Sequence, residues 1–385
     1  MNILIAGDLV PTPSNYALFE NADVEGLLGN QLNIHWNSSD FRITNLETPL
    51  IENSSPIVKT GRKLGAPSET LPGLNALQLS VVGLANNHIM DHGEPGLQHT
   101  LTLLESIKVP HVGAGKDLKE SCSFTVLEKD DIRVGVFGVA EHEFSIATET
   151  CAGANPFNPL RTGDFIKQQK QELRLNAIII LFHGGKEYYR YPSPGLQANC
   201  RHLVEKGADL VVCQHSHCVG AYEHYLDGDI IYGQGNFIFD TKHVISSESV
   251  LISYEIQKEQ PGKITYIPIM RNISNHGSVT LAEGAEGESI CAAMKARSIE
   301  ITHPGFLEEA YRNFSQKQIS AYLRIASPFG MWFERVDKRL FNGRLIRALY
   351  KQNKTMRLMN VIRCESHREL FLEGLDVLHR NRKDS

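Results

Sequence analysis

Five apolar runs in this sequence end abruptly in side chains that can hold a metal ion or move a proton. Those side chains are Asp8, Asn45 and Glu47, Asn87 and His88, His183 and Glu187, and His215 and His217. Carboxylate, amide and imidazole donors suit Mn, Fe, Zn or Mg rather than a thiolate site. A carboxylate shared by two such ions would bring them to about 3.5–4 Å, clamp a phosphoryl group and lower the pKa of a water. The set predicts a pair of divalent ions acting on an anionic substrate.

Each motif taken alone has a simpler explanation. A strand followed by a capped helix accounts for Asn87-His88, and two histidines spaced as His215-x-His217 arise by chance. Asp91 either orients His88 or, more simply, caps the next helix. Glu187 is either a ligand or acid/base group, or part of a surface ion pair with Lys186 or Arg190. The recurrence of donors at five predicted strand ends favours a shared site, because open α/β sheets bind ligands there.

Two further stretches are candidates for substrate contact. The glycines of Gly233-Gln234-Gly235-Asn236 permit close backbone approach, so Asn236 is predicted to face a substrate. Lys59, Arg62 and Lys63 carry positive charge that would suit an anionic substrate. For these three cations a solvated loop is the simpler expectation.

The elements that must position the site alternate between strands and helices. Apolar runs precede each donor cluster, and helical spacing follows several of them, as at 94–107 and 196–206. This alternation predicts an α/β fold with a sheet buried on both faces. Candidate hairpins at 123–139 and 250–270 indicate antiparallel strands as well. The sequence therefore predicts a mixed, two-sheet sandwich covered by helices.

Length and charge divide the chain into two parts. At 385 residues it exceeds one average domain, which favours one large domain plus an extension. We predict a domain over residues 1–275 and a basic, mainly helical region over 276–385. From Arg312 to Ser385 there are 16 Lys and Arg against 7 Asp and Glu, whereas the whole chain has net charge −5. This basic region suits an anionic polymer, a membrane surface or the acidic domain itself; a solvated helical face is equally consistent.

Other features bear on location. The sequence contains no apolar stretch of about 18 residues, so no transmembrane segment is predicted. The first residues read as a strand rather than a signal peptide, and the 7 cysteines form no Cys-x-x-Cys pair. These features predict a cytoplasmic protein, with peripheral membrane contact through the basic region left open.

The motifs together resemble a known family. Gly7-Asp8, Asn45-Leu46-Glu47, Ala85-Asn86-Asn87-His88-x-x-Asp91-x-Gly93, His183-Gly184-x-x-Glu187-Tyr188, the stretch from Gly207 to His217, and Gly233-x-Gly235-Asn236-Phe237 look like those of the CapA/poly-γ-glutamate-synthesis proteins. That family is similar to the calcineurin-like metallophosphoesterases. The resemblance covers about residues 1–275 and implies a metallophosphoesterase-like αββα sandwich with a C-terminal helical extension.

The resemblance also implies roles for the individual residues. Asp8 and His217 resemble first-metal ligands, Glu47 the bridging carboxylate, and Asn87, His183 and His215 second-metal ligands. His88 resembles the histidine that stabilises charge on the phosphoryl oxygen or protonates the leaving group. Val10 stands where the family pattern has a histidine, which leaves the first site one ligand short.

Three functions follow as hypotheses. The first is a metal-dependent hydrolase of a phosphoester or related bond in capsule polysaccharide or poly-γ-glutamate biosynthesis. The alternative is a non-catalytic, metal-binding accessory protein that associates with capsule or polyglutamate synthase subunits. Nucleic-acid binding is the weakest, because the aromatic residues of the basic region fit helical core spacing better than a stacking platform.

Overall fold

The computed structural model describes residues 1–241, 243–258, 260–272, 277–325, 327, 329–364, 367–368, 370–372 and 375. It divides into two compact units, Met1–Leu307 and Glu308–Ser385, which we call the body and the C-terminal unit. The body contains every residue that the sequence analysis assigns to the candidate site.

All the strands of the described chain lie in the body. In chain order they are β1 (Asn2–Val10), β2 (Phe41–Leu46), β3 (Leu50–Ile51), β4 (Ala66–Pro67), β5 (Val81–Gly83), β6 (His111–Val112), β7 (Ala114–Gly115), β8 (Thr125–Lys129), β9 (Ile132–Ala140), β10 (Gly153–Ala154), β11 (Ala177–His183), β12 (Leu210–Gln214), β13 (Tyr222–Tyr225), β14 (Gly228–Ile231), β15 (Asn236–Phe239), β16 (Glu248–Glu255), β17 (Lys263–Asn272) and β18 (Ser278–Leu281).

The α-helices begin in the body and continue through the C-terminal unit. They are α1 (Tyr16–Glu20), α2 (Val24–Asn37), α3 (Leu71–Ala76), α4 (Gly93–Ser106), α5 (Leu118–Ser121), α6 (Thr162–Glu172), α7 (Pro194–Glu205), α8 (Gly284–Glu300), α9 (Phe306–Ile325), α10 (Met331–Val336), α11 (Arg344–Leu349) and α12 (Gln352–Arg363). A π-helical turn, Asp337–Phe341, joins α10 to the segment before α11.

Two mixed sheets form the frame of the body. The eight-stranded sheet has the order β18-β17-β16-β1-β2-β5-β6, with β15 also paired to β1, and the six-stranded sheet has the order β13-β14-β12-β11-β9-β8. The strands that carry site residues have parallel neighbours, as in the pairs β1–β2 and β11–β12, and β1 is also antiparallel to β16. The outer strands β16, β17 and β18 are antiparallel.

Three apolar layers show that the sheets stack between helices. Successive residues of a strand point to opposite faces, so in β1 Ile5 packs between the two sheets while Leu4 packs against the helical layer of α1–α4. In β11 Ile179 faces the other sheet and Ile180 faces α6 and α7. The resulting layer order is helix, sheet, sheet, helix, which confirms the predicted two-sheet α/β sandwich.

Two elements of the body were not anticipated from the sequence. Helix α2 contains Gly26 and Gly29, and at Gly29 the backbone leaves helical geometry with φ of 65°. These glycines interrupt the helical pattern. Strand β15 is four residues long and begins at Asn236, directly after the glycine turn. Its pairing with β1 brings Asn236 opposite Asp8.

The C-terminal unit combines most of α9 with several shorter helices around a small core. Leu323, Ile346 and Tyr350 form its buried centre, and Phe333 and Leu358 pack on them. Asp337 is buried and accepts a hydrogen bond from the Leu345 amide at 3.1 Å. Across the described residues of both units, no helix combines the length and the apolar character that crossing a bilayer requires.

Candidate metal centre

Strand register brings the predicted donors to one end of the sandwich. Asp8 is paired with Asn45 across β1 and β2, two residues before Glu47. In the other sheet, His183 at the end of β11 is paired with Gln214 of β12, directly before His215. Since all these strands end at the same edge, residues more than 200 positions apart in the chain become neighbours. The Oδ2 atom of Asp8 lies 3.3 Å from the backbone nitrogen of His215.

Glu47 occupies the centre of this cluster. Its side chain is fully buried, and neither carboxylate oxygen has a hydrogen-bond partner among the described residues. Oε1 lies 3.3 Å from His183 Nε2, and Oε2 lies 3.9 Å from His217 Nδ1. An ionised carboxylate that is buried without donors is costly unless a cation neutralises it. The environment of Glu47 therefore fits metal binding.

Two groups of three donors share Glu47. In one, ligand atoms of Glu47, His183 and His215 all lie within 4.8 Å of one another; in the other, those of Asp8, Glu47 and His217 do. The Oδ1 atom of Asn87 adds a donor 3.0 Å from His183 Nε2, and His215 Nδ1 lies 3.1 Å from the same nitrogen. The six predicted ligands thus come together, and Glu47 belongs to both groups of donors.

Asn236 contacts the metal centre. Its Oδ1 lies 2.8 Å from His217 Nδ1, and the residue is buried. This position orients the imidazole of His217. The predicted role in substrate binding remains a prediction.

The pKa values of the paired histidines are shifted in opposite directions by their surroundings. Burial lowers the pKa of His217, but the carboxylates of Glu47 and Asp8 outweigh it and raise that pKa to about 10. Burial and the neighbouring imidazoles of His183 and His217 hold the pKa of His215 well below its usual range. Burial also opposes ionisation of Asp8, yet its hydrogen bond to His217 keeps the pKa of Asp8 below its ordinary value. His217 is therefore the most basic of these groups, and its Nδ1 lies 3.3 Å from Asp8 Oδ2.

The backbone at the paired histidines is in an unusual conformation. His215 and His217 have φ values of 79° and 52°. Non-glycine residues rarely adopt this left-handed region, and such positions cluster at functional sites. The conformation directs both imidazoles toward the carboxylates of Asp8 and Glu47 immediately after β12 ends.

A second polar group lies beside the donors. His88 Nδ1 lies 2.6 Å from Asp91 Oδ2, and the N-cap of α4 is His92 rather than Asp91. The carboxylate of Asp91 also forms an ion pair with Lys59. The sequence left two roles open for Asp91, orienting His88 or capping the next helix. These contacts fit the first role.

The loop that carries Lys59 is mostly exposed, as expected, but the side chain of Lys59 is not solvated. Its side chain is only 2% exposed, and Nζ donates to the Asn87 carbonyl oxygen at 3.1 Å. It also lies 3.4 Å from His88 Nδ1. Arg62 and Lys63 are exposed, as expected. No local pattern identifies Lys59, because its partners are about 30 residues further along the chain.

Val10 occupies an apolar environment. It is buried against Leu64 and Phe239 in a small cluster, and the ring of Phe239 stands edge-on to His217 at 5.6 Å. Packing by these three side chains fills the region where the family pattern has a further histidine. The group of Asp8, Glu47 and His217 accordingly has a hydrophobic boundary on one side.

A cleft of about 960 Å³ opens over the metal centre. His88, Asn87 and His217 form part of its wall, and Lys59 and Arg62 add positive charge. Glu187 lies in the same wall, while Arg190, one of its predicted surface partners, is 3.5 Å from Glu248 instead. Tyr188 stacks on His243 with ring centroids 4.1 Å apart. The cleft thus combines the donors with charged and aromatic groups that can contact a substrate.

Two amide side chains support the centre: Asn45, which the sequence placed among the candidate donors, and Asn86, to which it gave no role. Asn45 Nδ2 donates to Asp8 Oδ1 at 2.7 Å and lies 3.3 Å from His183 Nδ1. Asn86 Nδ2 donates to Asn45 Oδ1 at 3.1 Å. This chain of amides fixes Asp8 and His183, which come from different sheets. Asn45 and Asn86 lie close to predicted ligands in the sequence, and this proximity was the signal that could have identified their supporting role.

The fold and donor set define an α/β sandwich protein with a candidate metal centre. The chain belongs to the family described as bacterial capsule synthesis protein PGA_cap, whose model matches residues 2–241. The match includes all the predicted ligands and His88.

Curated relatives are similar over the same region. The chain is 28% identical over 239 residues to "Capsule biosynthesis protein CapA" of Bacillus anthracis, covering 60% of this chain and 58% of that protein. It is 27% identical over 238 residues to "PGA biosynthesis protein CapA" of Bacillus subtilis, covering 60% and 62%. A "Probable polyglutamine synthesis accessory protein" of Mycobacterium tuberculosis is 27% identical over 223 residues, covering 55% and 59%. The chain thus spans less than two thirds of each of these relatives.

Among solved structures, the chain resembles a 5'-nucleotidase precursor from Thermus thermophilus with a TM-score of 0.40 and 13% identity, covering 83% of this chain and 59% of that one. A hypothetical protein from the same organism gives a TM-score of 0.45 at 16% identity, covering 70% and 98%. At these scores no residue role is transferred.

Proposed function

We propose that this protein is a metal-dependent hydrolase of a phosphoester or related bond in the synthesis of a capsule polymer such as poly-γ-glutamate. The observation that carries the proposal is the buried, unpartnered carboxylate of Glu47 between two groups of donors. Asp8, Glu47 and His217 would hold one divalent ion, and Glu47, Asn87, His183 and His215 the other. Such ions polarise a phosphoryl group and activate water at neutral pH. The donor set suits Mn, Fe, Zn or Mg.

The chain's own residues would supply proton transfer and orientation. Asp91 holds Nδ1 of His88 at 2.6 Å, which fixes the ring and leaves Nε2 to donate a proton to a leaving oxygen. Lys59 fixes the same carboxylate from its other side. Arg62 in the wall of the cleft would attract an anionic substrate or polymer precursor.

The test joins metal analysis to a hydrolysis panel. We expect purified protein to bind about two divalent ions per chain and to hydrolyse mono- or bis-p-nitrophenyl phosphate with added manganese. H88A should lower kcat by roughly 10²–10⁴ without loss of metal, whereas E47Q should lose metal as well. H35A, at an exposed histidine of α2, is the matched control. Absence of turnover with every divalent ion tried would contradict the proposal.

A non-catalytic accessory role is the second candidate. The apolar packing of Val10 in place of a further ligand favours it, as does the accessory role printed in the name of the mycobacterial relative. In this case the protein would bind metal without hydrolysing any substrate and would co-purify with capsule or polyglutamate synthase subunits. Turnover that H88A abolishes would exclude it.

We further propose a cytoplasmic location for the protein. It rests on the reduced state suited to thiols such as Cys200 and Cys213, which lie in the core. Cell fractionation with antibodies against the native chain tests it; recovery from an extracytoplasmic fraction would contradict it.

A further inference from the structure

The C-terminal unit exposes far more apolar side chain than the body does. Of the 22 large hydrophobic residues exposed among the described positions, 15 lie between Ile319 and Leu375. Soluble domains rarely leave large apolar patches uncovered unless the patch binds something. The candidate metal centre lies elsewhere, in the body, and does not use these residues.

The exposed apolar residues follow the helical repeat. On α12, Met356, Met359 and Ile362 are spaced three residues apart and are all exposed, while Leu358 packs on the core of the unit. On α11, Leu345 and Leu349 are four apart and exposed, while Ile346 is fully buried. Residues three and four apart share a helix face. Each helix therefore places one apolar residue in or on the core of the unit and leaves other apolar residues, on the same or adjoining faces, exposed to solvent.

Exposed aromatic and aliphatic side chains also occur in α10 and in the π-helical turn. Trp332 is 78% exposed, and Leu340 and Phe341 of the π-helical turn are exposed as well. We define the apolar–basic surface by the exposed residues Trp332, Leu340, Phe341, Leu345, Leu349, Met356, Met359 and Ile362 together with the cations between them.

Charge around these residues is almost entirely positive. Between residues 331 and 364 there are nine Lys and Arg but only two acidic residues, Glu334 and Asp337. Asp337 is fully buried, bound by the Leu345 amide and close to Arg324. The exposed cations are Arg335, Lys338, Arg339, Arg344, Arg347, Lys351, Lys354 and Arg357. A second copy of the same surface would be repelled, whereas an anionic surface would be attracted.

We propose that the apolar–basic surface of the C-terminal unit binds the face of a membrane rich in anionic lipids. Helices that combine a basic face with Trp, Phe and Leu lie in the lipid interface with their apolar side buried at the headgroup boundary. Clustered Lys and Arg add attraction to the negative surface potential of such a membrane. Neither feature requires a membrane-spanning helix, and the inference does not depend on hydrolytic activity.

The chain contains its own reporter for this interaction. It has two tryptophans, Trp36 and Trp332. Trp36 is buried, stacks on Phe237 at 5.0 Å and donates to the Leu77 carbonyl, so its emission should not respond to lipid. Trp332 should shift its emission to shorter wavelength on contact with a bilayer. The variant W332F should lose that shift while still binding.

The experiment uses the full chain and vesicles of phosphatidylcholine, with or without phosphatidylserine. We expect co-sedimentation with the mixed vesicles, weakening as salt is raised, and a blue shift from Trp332. Replacing Met356, Met359 and Ile362 by Ser should weaken binding roughly tenfold or more, and so should replacing Lys338, Arg339 and Arg344 by Gln. Serines at exposed Leu160, Leu226 and Val244, and glutamines at exposed Lys116, Lys119 and Lys258, are the matched controls in the body.

Each contrary outcome is distinct. If the full chain does not bind vesicles, the proposal is overturned. This holds also if the reason is that the surface docks on the acidic body. In another outcome, the glutamine variant loses vesicle binding while the serine variant binds vesicles as well as wild type does. If, in addition, wild type and the serine variant are retained equally on a soluble polyanion, the surface is a purely electrostatic site for a polymer. A concentration-dependent dimer that the serine variant dissolves, without vesicle binding, would identify a contact between copies. Circular dichroism of both variants excludes unfolding as the cause.

Discussion

Lys59 is a buried cation whose three partners all belong to the segment that carries His88. Its ion pair with Asp91 is shielded from water, and the same carboxylate accepts a hydrogen bond from the Leu64 amide at 2.6 Å. Asp91 thus joins the loop before Leu64 to the segment after β5. Removing either partner leaves the other charge buried without its ion-pair partner.

We therefore expect K59M to destabilise the protein by about 3–5 kcal/mol, the usual cost of breaking a buried ion pair. In urea unfolding, the double variant K59M/D91N should recover part of that loss, because the unpaired carboxylate is then gone. K63M, at an exposed lysine of the same loop, should change stability by less than about 0.5 kcal/mol. Equal effects of K59M and K63M would contradict the structural role of Lys59.

His217 makes the stability of the metal-free protein depend on pH. Its pKa is raised to about 10 in the folded state, against about 6.5 in an unfolded chain. A histidine with a raised pKa stabilises the fold fully below the unfolded value, and this contribution is lost as pH rises through the folded value. The window for this loss therefore runs from about pH 6.5 to about pH 10.

In chelator-treated protein, we expect the difference in unfolding free energy between wild type and H217Q to be largest near pH 6. It should shrink by at most roughly 1.4 kcal/mol per pH unit toward pH 10. Urea denaturation at several pH values measures this difference. A constant difference across that range would show that His217 is not the group held as an imidazolium.

At the level of elements, the position of Asp8 depends on how closely β1 approaches the glycine turn before β15. A Cβ atom on Gly7 would lie 2.0 Å from the carbonyl oxygen of Gly235, which no real contact allows. Gly235 itself has a φ of 80°, a conformation that glycine adopts readily. The two glycines together let β15 pair with β1, which places Asn236 beside Asp8.

The variant G7A should accordingly force β1 and β15 apart. We expect a loss of about 1–3 kcal/mol, typical of overpacking, and weaker metal binding because Asp8 moves. G195A, in the open first turn of α7, should be neutral or stabilising. Thermal unfolding and metal titration of both variants test this, and unaltered metal binding in G7A would contradict the proposed link between strand approach and site geometry.

The elements that the sequence predicted best were those with a long apolar run or a strong periodicity. Ala177–Phe182 is a continuous apolar run, and its strand was expected to end at the donor His183, as it does. β15 could not be anticipated, because four residues after a glycine turn give no alternation to count and its pairing with β1 is a contact over more than 200 positions. Lys59 was misplaced for a related reason, since burial of a loop cation depends on a carboxylate brought to it by the tertiary fold. The local sequence pattern thus predicts which residues can act as donors and where the strands lie. The contacts that orient those donors come from segments far apart in the chain.

For the molecule as a whole, the question is where the folding unit that holds the metal centre ends. The motif resemblance extends to about residue 275, but the compact body continues to Leu307. Residues of α8 contribute to it: Ile290 and Met294 pack in the cluster between the sheets, and Arg297 Nε donates to the Gly220 carbonyl oxygen at 3.0 Å while buried. Leu307 itself packs against the layer of α6 and α7.

We expect a chain truncated after Leu307 to fold cooperatively and to bind the same amount of metal as the full chain, because its core and donors are complete. It should also lose binding to anionic vesicles, since the apolar–basic surface is absent.

A chain ending at residue 275 lacks Ile290, Met294 and Arg297, and should be markedly less stable because two sheets lose apolar cover and the Gly220 carbonyl loses its donor. Comparing metal content, unfolding transitions and vesicle binding of the two truncations decides the matter. If the shorter chain were as stable as the longer one, α8 would be dispensable; if the longer chain still bound vesicles, the membrane-binding surface would lie in the body.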